Sequence, residues 1–235
     1  MLGVKSSFLA VAILAASSSV SHALVQSQTQ NYGPGIPNYN ATQNFNQFNP
    51  ALGTLNSIKV SMAVGVSGGT LTVDNDGVGP ANVNVALGAK GNLQSVDVSL
   101  IDLVFQPVVA DVTAQTANIY NLGADNGDGV GVVDGTAPDG AVLSGGAVNN
   151  SAFGFINSAV WGPYQGAGTY GIKALIDQIL DFGSVGGVEG AFTPVTASAS
   201  VTVEYDYTPN VPEPGTISLA VLAIVACTAG RGRRR

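Results

Sequence analysis

From Leu55 onward the chain alternates. Val60, Met62, Val64 and Val66 are separated by Ser61, Ala63 and Gly65, the period of two that marks a strand with one face buried. Gly68-Gly69 then predicts a turn, because two glycines accept the positive φ angles of tight hairpins. Leu71 and Val73 resume the alternation, Asp74-Asn75-Asp76-Gly77 reads as a second turn, and Val83, Val85 and Leu87 as another strand. A longer strand is expected over 94–105, and the Gly- and Asp-rich span 123–146 reads as a surface excursion. Val201, Val203, Tyr205 and Tyr207 alternate with Thr202, Glu204 and Asp206 to close the pattern. Upstream, 24–49 reads as an edge strand plus a loop. One stretch follows a different period: Ile172, Leu175, Ile176, Ile179 and Leu180 fall at helical spacing, which predicts a short amphipathic helix over 171–182. The fold expected is all-β, a meander-like antiparallel β-sandwich of jelly-roll-like form spanning 24–210.

The two ends read as addresses. Lys5 precedes an apolar run over 8–16 and then Ser21-His22-Ala23, with small residues at the two positions a signal peptidase reads. This predicts a signal peptide over 1–23, formed as a short helix and cleaved after Ala23. At the other end Val211-Pro212-Glu213-Pro214 leads into an apolar segment, assigned as a transmembrane helix over 216–230, and then into Arg231, Arg233, Arg234 and Arg235. The prolines keep the linker extended, and the arginines act as a stop to transfer and stay on the cytoplasmic side. In residue types and order this tail, 211–235, resembles the PEP-CTERM sorting signal of Gram-negative bacteria. The resemblance implies recognition by exosortase, a membrane protease-transpeptidase. It also implies an inner-membrane precursor held transiently by the C-terminal helix, and a final place at the cell surface or in the extracellular matrix.

Removing both ends changes the chemistry that remains. The whole chain of 235 residues has a formal charge of -7 and only 10% charged residues, with 31 glycines. The body keeps Lys59, Lys90 and Lys173 against fourteen acids, a net charge of -11, and it keeps neither His22 nor Cys227. Such a surface has no basic footprint, which excludes nucleic acid as a partner. Without histidine or cysteine, general acid-base and nucleophilic chemistry would rest on carboxylates, lysine, tyrosine or metal.

Phe45-Asn46-Gln47-Phe48-Asn49-Pro50-Ala51-Leu52-Gly53-Thr54-Leu55, with Gly166-Ala167-Gly168-Thr169 and the closing strand, resembles the choice-of-anchor E family of exported bacterial domains. That resemblance implies an all-β extracellular body and supplies no catalytic residues.

Several local patterns invite chemistry. Gly65-Val66-Ser67-Gly68-Gly69 fits a nucleophile elbow but has no histidine base to serve it. Gly166-Ala167-Gly168-Thr169-Tyr170-Gly171 fits a dinucleotide loop but lacks a βαβ setting. Glu189, Glu204, Asp97 and Asp102 are the carboxylates a polysaccharide-acting enzyme could use. Trp161, Tyr164 and Tyr170 could stack on sugar rings as a carbohydrate-binding platform. Asp125, Asp128 and Asp134, with Asp139, Asp74 and Asp76, sit among glycines and could offer oxygens to calcium, although their spacing is not that of an EF-hand. The expected function is that of an exported, non-enzymatic surface or matrix protein associated with exopolysaccharide or biofilm, with no catalytic residue and no obligatory cofactor. Signal peptidase, exosortase and extracellular polysaccharide are the expected partners. A carbohydrate-binding module and a polysaccharide-acting enzyme are the alternatives.

Overall fold

A computed structural model describes residues 22–183 and 185–210. The signal segment up to residue 21 and the whole 211–235 tail, with Val211, Pro212, Glu213, Pro214 and the four arginines, lie outside the described residues. Ala23 lies just inside them, exposed, directly before the first strand.

The described residues are all-β. Eleven strands run in the order β1 (Leu24–Gly35), β2 (Tyr39–Asn46), β3 (Gly53–Ser67), β4 (Thr70–Asn75), β5 (Ala81–Gln94), β6 (Val112–Leu122), β7 (Gly140–Ser144), β8 (Val148–Phe155), β9 (Thr169–Asp181), β10 (Val188–Thr193) and β11 (Thr196–Pro209). They form two four-stranded sheets, β1-β11-β3-β8 and β2-β9-β5-β6, and a three-stranded sheet, β10-β4-β7. Every pairing between these strands is antiparallel. Among the described residues no helix is long and apolar enough to cross a membrane.

The two larger sheets bury facing sides against each other. On β3 the inward set is Ile58, Val60, Met62, Val64 and Val66; on β11 it is Ala197, Ala199, Val201, Val203 and Tyr205. Val83, Val85, Leu87 and Ala89 of β5 oppose them, with Tyr170, Ile172, Ala174 and Ile176 of β9. Burying each of the larger aliphatic chains stabilises the fold by about 1.5–3 kcal/mol before entropy is counted. Gly91 lies where the layers close in: a methyl there would meet Met62 and Val64 across the interface.

The expected helix over 171–182 is a strand. β9 is the second strand of its sheet, hydrogen-bonded to β2 on one side and β5 on the other. Its inward positions Tyr170, Ile172, Ala174 and Ile176 follow a period of two, with Lys173 and Asp177 turned away from the core. The helical spacing came from outer-face Leu175 and from Ile179 and Leu180 near the strand end, which are only partly buried. The expected strand over 94–105 is also corrected: β5 stops at Gln94, and 95–111 is irregular chain that includes a tight loop closed by an Ile101–Pro107 bridge. The stretch 24–49 holds two edge strands, β1 and β2, rather than one. The meander is corrected too, because only β5 and β6 are neighbours both in sequence and in a sheet. Gly68-Gly69, both at positive φ (69° and 78°), turns the chain out of the β3 sheet and into the three-stranded one.

Register fixes the polarity of the molecule. Leu24 pairs with Tyr207 and Gly53 with Pro209, so both ends of the described chain leave from one end of the sandwich. Ser67 pairs with Thr196 at the other end, where Gly145 donates to the Gly69 carbonyl and the three-stranded sheet begins. Fourteen residues of β11 span roughly 45 Å between these ends at about 3.3 Å per residue.

Candidate metal centre

At its far end the three-stranded sheet carries an acidic cluster. β4 runs into the Asp74-Asn75-Asp76-Gly77 turn, where Asn75 is buried and acts as a bracket. Its amide donates to the Gly79 carbonyl at 2.9 Å and to the Gly123 carbonyl, and its Oδ1 accepts from the Gly77 N–H at 3.1 Å. The Asp125 N–H donates to the Gly77 carbonyl and the Asn75 N–H to the Asp139 carbonyl. The excursion between β6 and β7 is thereby folded back over the end of β4. Buried Asp139 holds it closed by accepting from the backbone and side-chain amides of Asn126.

This folding brings carboxylates together from distant parts of the sequence. Asp74, Asp128 and Asp134 form one triad and Asp76, Asp125 and Asp128 a second, and within each the facing oxygens lie within 4.8 Å of one another. Asp74 is 1% exposed. Its Oδ1 accepts from the Asn75 N–H, while its Oδ2 is buried without a hydrogen-bond partner. Both oxygens of Asp76 and both of Asp128 are likewise buried and unpartnered. Burial pushes the Asp74 carboxyl above the usual range. The Asp134 N–H opposes that shift, and the charges of Asp128 and Asp139 add to it. Asp76 is also raised, by desolvation and by repulsion from Glu189, Asp74, Asp125 and Asp128. Glu189 stands opposite Asp74 on β10 and accepts from the Gly131 N–H at 2.9 Å.

No cation among the described residues answers this charge. Lys59 pairs with Glu204 at 2.8 Å, Lys90 with Asp111 at 3.1 Å, and Lys173 sits on β9 beside Thr42 and Gln94. Buried carboxylates ordinarily find hydrogen-bond donors or ions, since an unpaired one costs several kcal/mol. Sequence reasoning singled out Asp125, Asp128 and Asp134, and the structure places all three in the cluster. It did not show that Asp74 and Asp76 close the two triads, because that meeting depends on β4 pairing with β7 and β10.

The remaining candidates are dispersed. Tyr164 and Tyr170 are 0% and 2% exposed, and Trp161 donates from its indole to the Ile156 carbonyl at 3.0 Å. The expected sugar platform is therefore corrected: two of its three rings are core, packed edge to face at 5.1 Å. Glu204 is engaged by Lys59 in the large sheet, whereas Glu189 belongs to the acidic end, so the two glutamates do not face each other. Asp97 accepts from the Gly171 N–H, and Asp102 accepts from the N–H groups of Val104 and Gln106. Ser67 ends a strand that enters another strand, and Gly166–Gly171 leads into β9 rather than a helix. Neither has the strand-to-helix setting its pattern needs.

No family model matches the chain, and no curated protein matches it. Among solved structures, one titled turnip yellow mosaic virus is 8% identical over 91% of this chain and 92% of that one, with a TM-score of 0.20. Another is titled infectious bursal disease virus Gx strain, 13% identical over 86% of this chain and 48% of that one, with a TM-score of 0.13.

Proposed function

We propose that this is an exported, non-enzymatic protein of the bacterial surface or extracellular matrix, sorted by an exosortase-type system and associated with exopolysaccharide. The observation that carries the reading is the fit between the folded body and the two sequence signals. Leu24, the first residue after the expected cleavage at Ala23, is the first residue of β1, and β11 ends at Pro209, one residue short of Val211-Pro212-Glu213-Pro214. Signal peptidase and exosortase would each cut outside the sandwich, leaving its hydrogen bonding intact. In this reading the strand order is that of a jelly roll whose eight main strands are supplemented by β4, β7 and β10. Because both ends leave from the same pole, a precursor held by 216–230 would carry its acidic end away from the membrane.

Intact-mass analysis of the envelope protein tests the processing. The mature species is expected to begin at Leu24 and to lack the chain from about Glu213 onward. Recovery of Cys227 in the mature species would replace sorting by a plain tail anchor. Turnover of a polysaccharide by the purified protein would overturn the non-enzymatic part of the reading.

A further inference from the structure

We propose that the acidic end of the three-stranded sheet is a two-calcium centre. Asp74, Asp128 and Asp134 would hold one ion and Asp76, Asp125 and Asp128 the other, with Asp128 shared. This does not depend on how the protein is sorted, since it stands on the geometry of the cluster. The decisive group is Asp74, a carboxylate almost fully buried that offers an oxygen within 4.8 Å of those of Asp128 and Asp134 and whose Oδ2 makes no hydrogen bond. Asp76 and Asp128 repeat the pattern with four more unpartnered oxygens. The five ligand carboxylates, with Asp139 and Glu189 close by, bring seven negative charges together, and two calcium ions would offset four of them.

Donor type selects the metal. All candidate ligands are hard oxygens, and the body holds no histidine or cysteine to favour zinc or copper. Calcium accepts six to eight oxygens at irregular geometry, so carboxylates in bidentate mode, turn carbonyls and water can complete each shell. Magnesium demands a near-ideal octahedron and gives up its water reluctantly, which suits this loop-built cluster less well. The ions would also join segments distant in sequence, namely the end of β4 and two parts of the 123–139 excursion. Binding would thus fasten the excursion to the sheet beneath it.

The test is calcium titration of the full-length protein, first stripped with a chelator, by calorimetry and thermal melting. Two ions per chain are expected. At a hundredfold excess over the dissociation constants the two ions together should raise the melting midpoint by about 10–20 °C. Asp128→Asn should abolish this rise while leaving the metal-free midpoint equal or higher, because it removes one of the mutually repelling charges. A purely structural Asp128 would give the opposite sign in the metal-free protein. Asp125→Asn, at an exposed position, should weaken binding at least tenfold if Asp128→Asn does not fold, and Asp177→Asn on β9 should match the parent. Absence of a shift at 5 mM calcium, an equal shift with magnesium, or unaltered binding in both cluster variants would overturn the proposal. A stoichiometry of one would overturn the shared-ligand arrangement.

Discussion

Tyr205 ties the two large sheets together through hydroxyls in the core. Its O–H donates to the Asn46 carbonyl at 3.0 Å, so at 2.7 Å the Tyr170 hydroxyl must be the donor to Tyr205. The Asn46 carbonyl also accepts from Gln28 and survives the loss of Tyr205, but the Tyr170 hydroxyl has no other partner in this chain of bonds. Tyr205→Phe is therefore expected to destabilise by about 1–3 kcal/mol, the cost of a buried donor left unpaired. Tyr170→Phe should cost less, about 0.5–1.5 kcal/mol, and adding it to Tyr205→Phe should recover stability; urea unfolding of the three variants measures the order. The same burial governs the alkaline limit. Desolvation pushes Tyr205 up to about 12 and raises Tyr32, Tyr164 and Tyr170 further. A tyrosine with a raised folded pKa keeps its proton longer in the folded chain. Its contribution is whole below the unfolded value near 10 and is lost as pH rises through the folded one. The melting midpoint should therefore fall between about pH 10 and 12, and the tyrosinate absorbance of Tyr32, Tyr164 and Tyr170 should appear only with unfolding.

Among the elements, β3, β5 and β11 were legible because their larger apolar residues alternate with polar or small ones. β9 was not. Its apolar residues occur on both faces, since Leu175 is half-buried on the outer side, and a strand with two apolar faces mimics a helix over a short window. Three isoleucines in the segment were the available signal, because branching at Cβ favours a strand. β8 shows a constraint that no periodicity carries. The backbone of Val108 lies so close to it that a methyl on Gly154 would strike the Val108 carbonyl oxygen. Gly154→Ala is expected to cost about 1–3 kcal/mol, because backbone rather than a flexible side chain must yield. Chemical denaturation should show the midpoint lowered with an unchanged slope.

At the scale of the molecule, sequence patterns identified the class but not which strands are neighbours. Turns such as Gly68-Gly69 look the same whether they return the chain to its own sheet or pass it to another. The metal cluster was half legible for that reason: acidic residues among glycines are visible along the chain, while the meeting of the β4 turn with the 123–139 excursion exists only after the sheets form. The pairing of Leu24 with Tyr207 has a kinetic counterpart. The first strand made is completed by the last, and β3 too waits for β11 as its neighbour. Contacts of such long sequence separation must pay nearly the whole loop-closure entropy of the chain before they return any energy, which places this fold among the slow-folding topologies. A chain delivered from its N-terminus would therefore hold its central sheet open, with the edges of β1 and β3 unpaired, until the residues of β11 arrive to lie between them.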